Sequence, residues 1–368
     1  MYNWQQEDWT QFSYQIDAVE DDLYTFREKI GYMQGVLKTL PEKYHIQTLQ
    51  DILVAEAIKT SEIEGEYLSR KDVLSSIKNN LGISQKKEKV RDVHAKGIAN
   101  MITSARETFQ EPLTKEMLFE WHVMIFPTAT KIAVGQWRQH SEPMQVISGA
   151  MGKEKVHFEA PPSERVPKEI EAFITWFNET APNGKNPIKY APIRSAIAHL
   201  YFETIHPFED GNGRIGRTVA EKALLQTVDI PLLISLSTTI EAEKNLYYEA
   251  LKEGQRNNII TNWIKYFVDV VLKSQIESEN LINFILQKTK LFDTYKDQLN
   301  ERQIKVINRM LKEGHKGFEG GMTAKKYISI AKTSKPTATR DLQHLLKTGV
   351  FVVSGSGRNT SYLIQFPN

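Results

Sequence analysis

Cysteine is absent from the 368 residues, which excludes a disulfide framework, a thiolate nucleophile and a cysteine-ligated metal site. Neither sign of charge is in excess: 47 Lys and Arg stand against 45 Asp and Glu, a formal net charge of +2. No global attraction to nucleic acid or to an anionic membrane is therefore implied. Long apolar runs are missing too, and none approaches the roughly 20 residues that span a bilayer. The opening Met1 to Trp9 has no basic segment followed by an apolar stretch, so no signal peptide is read there and a soluble, cytoplasmic protein is expected. The length suffices for a full core and for two or three domains.

What is present concentrates in twelve residues, His206-Pro207-Phe208-Glu209-Asp210-Gly211-Asn212-Gly213-Arg214-Ile215-Gly216-Arg217. Upstream, Ala191 to Ile205 reads as a helix with Ile193, Ile197, Leu200 and Ile205 apolar. Pro207 biases His206 away from the helical region, so that helix should end there. The next helix is expected from about Asn212, turning Ile215, Val219 and Leu224 inward. Its first turns hold Arg214 and Arg217 and no acid before Glu221, although the positive end of a helix favours carboxylates. An anion supplied from elsewhere would answer that excess. A glycine-rich turn, a helix N-terminus and two guanidiniums three residues apart suit a polyphosphate. The Lys-Ser/Thr of a Walker A loop is absent. His206 suits a general base near neutrality, Asp210 a one-carboxylate hold on Mg²⁺ completed by phosphates and water, Asn212 a donor to phosphate, and Phe208 an apolar anchor. Singly, His206 reads more readily as a packed or capping residue, Asp210-Gly211 as a turn and the arginines as a solvated face; their density in one stretch makes a site.

This stretch resembles the Fic signature H-x-F-x-[D/E]-G-N-G-R-x-x-R and matches it at every specified position. The resemblance implies a mainly α, helical Fic fold and transfer of AMP from ATP to a protein hydroxyl, with pyrophosphate leaving. It implies His206 as the base toward a Ser, Thr or Tyr hydroxyl and Asp210 as the Mg²⁺ ligand. It further gives Asn212 and Arg214 the α- and β-phosphates, Arg217 the γ-phosphate, and Gly211 and Gly213 the role of backbone donors. Phosphoryl-type transfer needs mainly positioning and charge neutralisation, which these residue types supply.

A second cluster lies upstream. Ile52 to Glu64 resembles a helix stopped by Gly65, which places Glu62 and Glu64 in its last turn, where negative charge is disfavoured unless a cation answers it. Thr60-Ser61-Glu62-Ile63-Glu64-Gly65 is similar to the inhibitory motif [S/T]-x-x-x-E-[G/N] of Fic proteins. The resemblance implies that Glu64 pairs with Arg217 in place of the γ-phosphate, with Thr60 or its neighbour Ser61 steadying the inhibitory helix of about residues 50–66. A third element, Gly135-Gln136-Trp137-Arg138, resembles the start of the Fic flap. Val146 and Ile147 in one short β-like run and Val156 and Phe158 in another, with Gly149 and Gly152 between, give a hairpin whose edge could take an extended target segment.

Read along the chain, residues 1–89 form a helical N-terminal extension, with Trp4 and Trp9 as packing anchors. Residues 90–285 form the catalytic domain, and residues 290–368 resemble a winged helix. In that last segment Thr323 to Ala331 and Lys335 to Lys347 read as a helix-turn-helix, followed by a β-hairpin around Arg358. Thr337, Thr339 and Arg340 suit contacts to DNA, while winged helices serve equally as protein contacts. Tyr247 and Tyr248 follow the catalytic helices and suit either adenine or core. An apolar face on the N-terminal helices would support a homodimer. Two functions follow: a self-restrained AMP-transferase acting on a target protein presented at the flap, or a DNA- or protein-binding regulator using the same site as a nucleotide sensor. An intact His206 and Asp210 favour the first.

Overall fold

The computed structural model describes residues 1–39, 41–84, 86–128, 131–148, 155–230 and 232–367. Among them are fourteen α-helices and two antiparallel two-stranded sheets, the mainly helical architecture expected. The elements run α1 Glu20–Thr39, α2 Glu42–Ile63, α3 Arg70–Asn80, α4 Val93–Glu107, α5 Lys115–Ile125, then strands β1 Gln145–Ser148 and β2 Lys155–Glu159. Next come α6 Val166–Glu179, α7 Ala191–Ile205, α8 Asn212–Val228, α9 Leu236–Ala242, α10 Lys244–Gly254 and α11 Thr261–Tyr295. The chain closes with α12 Glu301–Leu311, α13 Ala324–Ala331, α14 Lys335–Lys347, β3 Phe351–Ser354 and β4 Ser361–Ile364. Two compact units divide these elements, one of residues 1–37 and 49–276, the other of residues 38–48 and 277–368.

The first unit is organised around α7 and α8. Every residue of α7 is buried, and its Arg194 and Ser195 side chains find partners inside the protein. The Arg194 guanidinium donates to the carbonyls of Phe177 and Ala223 and to Gln226 Oε1, and Ser195 donates to the carbonyl of Ala220. One side of the helix pair, with Val219, packs on Trp121 and Phe173, and the other, with Leu224, on Trp263 and Phe267. Ile215, Val219 and Leu224 lie fully inside, as their spacing predicts. Several helices start on capping side chains: Asp92 Oδ1 accepts from the backbone of His94 and Ala95, and Thr114 Oγ1 from Met117. Such caps satisfy N–H groups that have no partner within the helix.

Trp4 and Trp9 are packing anchors. Trp4 Nε1 donates to the carbonyl of Glu159 and packs with Phe158, while Trp9 meets Tyr201 edge-on and donates to Glu169. The second unit has its own core of Val306, Ile307, Met310, Tyr327, Leu342 and Phe351. Asp341 is its polar hub, accepting from Arg302, Asn300 and the Tyr327 hydroxyl. A single backbone bridge between Met322 and Tyr362 extends the β3–β4 hairpin.

Candidate active site

The site begins where α7 ends. Pro207 cannot continue a helix, and His206 takes a left-handed conformation, φ 50 and ψ 61. That conformation is unfavourable for a residue with a Cβ, and buried Arg138 holds it in place. The Arg138 guanidinium donates to the carbonyls of Ile205, His206 and Pro161 and to the Ser163 hydroxyl, while its backbone N–H donates to the carbonyl of Pro207. One arginine thus ties the end of α7 to the segment leaving β2, and burial brings its pKa down to about 10.

Phe208 is fully buried, as expected of an anchor, and stacks on His122 with ring centroids 4.1 Å apart and planes 7° from parallel. His122 Nδ1 accepts from the Gly135 backbone at 2.9 Å, so Nε2 carries the hydrogen and donates to the carbonyl of Asp210 at 3.2 Å. Burial pushes this imidazole down to about 4, which keeps it neutral and its two contacts intact at pH 7. Nothing in the sequence marks His122, because its role depends on which loop the fold lays over it.

Asn212 also holds the loop. Its side chain is buried and closes a reciprocal pair with one residue, accepting from the Phe208 N–H at 2.9 Å and donating to the Phe208 carbonyl at 2.8 Å. The amide braces the loop through one donor and one acceptor. Asn212→Ala leaves two buried backbone groups without partners and should cost about 2–3 kcal/mol. Urea unfolding checks this, and a loss under about 0.5 kcal/mol would contradict the clamp.

Gly211 precedes α8 at φ 83, and no side chain caps the helix. A Cβ on Gly211 would lie 2.7 Å from Ile125 and Phe126 side-chain atoms, and one on Gly213 2.3 Å from Glu64 Oε1. At Gly211 the left-handed backbone adds strain to that crowding, whereas at Gly213 the end of the Glu64 side chain would have to move aside. Asp210 leaves its carboxylate 62% exposed, with Arg214 Nη2 3.7 Å away. Among the described residues no group of three or more His, Asp or Glu could hold a metal ion by itself; Asp210 offers a single carboxylate at the rim.

His206 is nearly enclosed. Burial, and next the charge of Arg138, push its imidazole down to about 4, so it is the neutral, proton-accepting form that stands in the site at pH 7. Glu203, one turn earlier on α7, places Oε2 3.9 Å from His206 Nδ1. Burial raises the Glu203 carboxyl to about 8, against the pull of Arg217, and a Cβ on Gly216 would meet its Oε1 at 2.2 Å. The third glycine of the stretch therefore makes room for an acid on the neighbouring helix. Glu203 escaped the sequence reading because a carboxyl in an apolar helix resembles a surface position.

The two arginines of α8 are both engaged by the segment that ends α2. Arg217, 1% exposed, donates from Nε to Thr60 Oγ1 at 2.9 Å and from Nη2 to the Thr60 carbonyl and to Glu64 Oε1, each at 2.8 Å. Burial acts to lower the Arg217 pKa, and Glu64, with Tyr247 and Glu203, more than offsets it, so the guanidinium is held above its ordinary value. Its Nη1 is buried without a hydrogen-bond partner among the described residues. Of the two candidates for steadying this contact, Thr60 is the one in place. Gly65 stops α2 at φ 80, and Tyr248 donates to the carbonyl of Ile63 at 3.1 Å while Lys59 bridges Glu62 and Glu241. Tyr247 lies inside and pairs with His199 at 2.9 Å.

The hairpin forms with Val146 opposite Phe158 and Ile147 opposite Val156, a bulge lying between the two pairs. Val146 and Val156 are exposed, whereas Phe158 turns inward onto Trp4 and Tyr2, so it anchors the strand. The turn glycines 149 and 152 lie outside the described residues.

Residues 112–224, which contain the His206–Arg217 stretch, match the Fic/DOC family, and residues 2–83, which contain Thr60 to Gly65, match a domain of unknown function, DUF4172. The chain is 27% identical over 150 residues to a protein adenylyltransferase Fic of Nematostella vectensis, covering 40% of this chain and 30% of that protein. It is 23% identical over 207 residues to a probable protein adenylyltransferase of Aquifex aeolicus, covering 53% of this chain and 58% of the other. The chain thus spans less than two thirds of either relative. In fold it is similar to a crystal structure of a Fic family protein from Desulfovibrio desulfuricans, with a TM-score of 0.55, 17% identity and coverage of 95% and 97%. A Fic domain containing signaling protein from Bacteroides thetaiotaomicron gives a TM-score of 0.51 at 19% identity, over 72% of this chain and 96% of that one. Residues 112–224 are thus similar to Fic/DOC domains in sequence, and the chain is similar in fold to Fic family structures.

Proposed function

We propose that the protein transfers AMP from ATP to a hydroxyl of a target protein and that Glu64 restrains the reaction. The observation carrying this reading is the ion pair between Arg217 of the signature and Glu64, 153 residues away in sequence. A buried guanidinium that needs an anion is met by a carboxylate where a terminal phosphate would sit. In the reaction, neutral His206 takes the proton of the target hydroxyl, whose oxygen bonds to the α-phosphorus as the bond to the pyrophosphate oxygen breaks. Arg214, Arg217 and the backbone at the start of α8 hold the phosphates. Asp210 fits Mg²⁺, since its exposed carboxylate can supply one oxygen and phosphates and water the rest. Mg²⁺ held there would neutralise charge on the leaving pyrophosphate.

The exposed Val146 and Val156 and the two-stranded hairpin support docking of the target as an added strand. The helices α12 to α14 and the β3–β4 hairpin support a winged-helix reading of the second unit. Its hairpin exposes Val352, Val353 and Leu363, apolar surface that suits a protein partner better than phosphate. Incubation of wild type, Glu64→Gly and His206→Ala with α-labelled and γ-labelled ATP and Mg²⁺ tests the chemistry. Protein label should come from the α-position and require His206; label from the γ-position alone would replace the reading with a kinase-like one. The regulator alternative predicts binding of the full chain to duplex DNA that weakens steeply with salt.

A further inference from the structure

The turn that carries Glu64 carries a second carboxylate onto the other arginine. Glu66 Oε2 accepts from Arg214 Nη1 at 2.8 Å, and its Oε1 faces His94 Nδ1, near the start of α4, at 3.5 Å. Arg214 is nearly as enclosed as Arg217, lies over the Phe126 ring at 4.9 Å, and has a buried Nε without a hydrogen-bond partner among the described residues. The backbone explains how one turn reaches both cations. The Gly65 N–H donates to the carbonyl of Glu62 and the Glu66 N–H to the carbonyl of Ser61, at 3.0 and 2.9 Å. With Gly65 left-handed, this is the paired closure that ends a helix and fixes the two residues following its last turn. Glu64 and Glu66 flank that glycine, and Arg214 and Arg217 are one turn apart on α8. The spacing of the acids is matched to the spacing of the bases.

We infer that Glu66 is a second gating residue, which contests the inner phosphates of the nucleotide at Arg214 while Glu64 contests the terminal phosphate at Arg217. The inference rests on the reading of α8 as a nucleoside polyphosphate site. A nucleotide entering the site must take Arg214 from Glu66, and this applies to a diphosphate as fully as to a triphosphate. Glu64 governs what happens at the third phosphate; Glu66 governs whether the first two are held at all.

ADP separates the two carboxylates because it lacks the third phosphate. Titration calorimetry of ADP with Mg²⁺, at fixed ionic strength, on the full chain should give a Kd about tenfold lower for Glu66→Gln than for wild type. Glu64→Gln should move the ADP Kd by less than about threefold. Glu66→Ala, which also removes the side-chain bulk, should act in the same direction as Glu66→Gln, and thermal melts of each variant show whether it remains folded. An ADP Kd unchanged in both Glu66 variants, with wild type still binding ADP, overturns the inference and leaves the nucleotide site standing. Failure of wild type and every variant to bind either ADP or ATP overturns the nucleotide reading itself, and the inference with it.

Discussion

Glu64→Gly is expected to raise AMP transfer from α-labelled ATP about 100-fold over wild type, measured as initial rate at saturating nucleotide. A coupling of about 2–3 kcal/mol between a latch and a site shifts the competent population by that factor. The size of the gain is set by where the pair sits. Arg217 is enclosed, Glu64 is about one-third exposed, and each further contact of the guanidinium is to Thr60 of the same helix. Removing the carboxylate leaves a buried cation whose nearest replacement is a phosphate, and an unpaired buried charge binds an incoming anion strongly. Glycine at 64 also removes the oxygen that crowds Gly213, widening the approach to the start of α8. Glu64→Gln tests the charge alone and should give a smaller gain, because the amide still occupies the space. Equal rates in wild type and Glu64→Gly would mean that Glu64 does not restrain transfer. Arg217→Ala distinguishes a lock from a scaffold: it removes the pair too, but should lower transfer, since the terminal phosphate loses its ligand.

The Glu64–Arg217 pair is legible in the sequence because its two halves are each anomalous in isolation. Two arginines at a helix start without an acid, and two glutamates at a helix end without a base, violate the same electrostatic preference with opposite sign. Glu66 was not legible by that argument, since beyond Gly65 it belongs to no helix, and only the closure of the α2 turn brings it to Arg214. The helices around the loop followed from local rules: Ala191–Ile205 ends before Pro207 and α8 starts at Asn212, both set by residues within one turn. In α2 the apolar pattern marked only the C-terminal part, and the helix extends back to Glu42, where polar residues carry no periodic signal. The contacts of Asn212, His122 and Glu203 are not legible in the sequence, for a shared reason. Each makes its decisive contacts with groups whose positions depend on packing: the backbone of Phe208 for Asn212, the loop at Asp210 for His122, and the His206 imidazole for Glu203.

His206→Ala is expected to reduce AMP transfer by about 10²–10⁴-fold, the usual contribution of a positioned general base, while ADP affinity changes by less than about threefold, the imidazole being no phosphate ligand in this reading. The pH dependence carries the more specific expectation. An ordinary histidine is half protonated near 6.5, and a base of that kind would halve kcat/KM already at that pH. Burial and Arg138 hold His206 down at about 4, so kcat/KM, which reports the free enzyme, should keep its value from pH 7 to below 6 and fall only toward 4. The same displacement has a stability consequence of fixed sign. Between about 6.5 and 4 the unfolded chain binds a proton at position 206 that the folded chain does not, so this group contributes stability that is present above 6.5 and lost as pH falls through that window. His206→Ala should therefore flatten the acid side of the stability curve by up to one proton while abolishing transfer. Unchanged acid sensitivity together with intact transfer would remove His206 from both roles. Loss of transfer with unchanged acid sensitivity would keep it as the base but place its imidazole in water, contrary to the enclosure that Arg138, Pro207 and the left-handed turn impose.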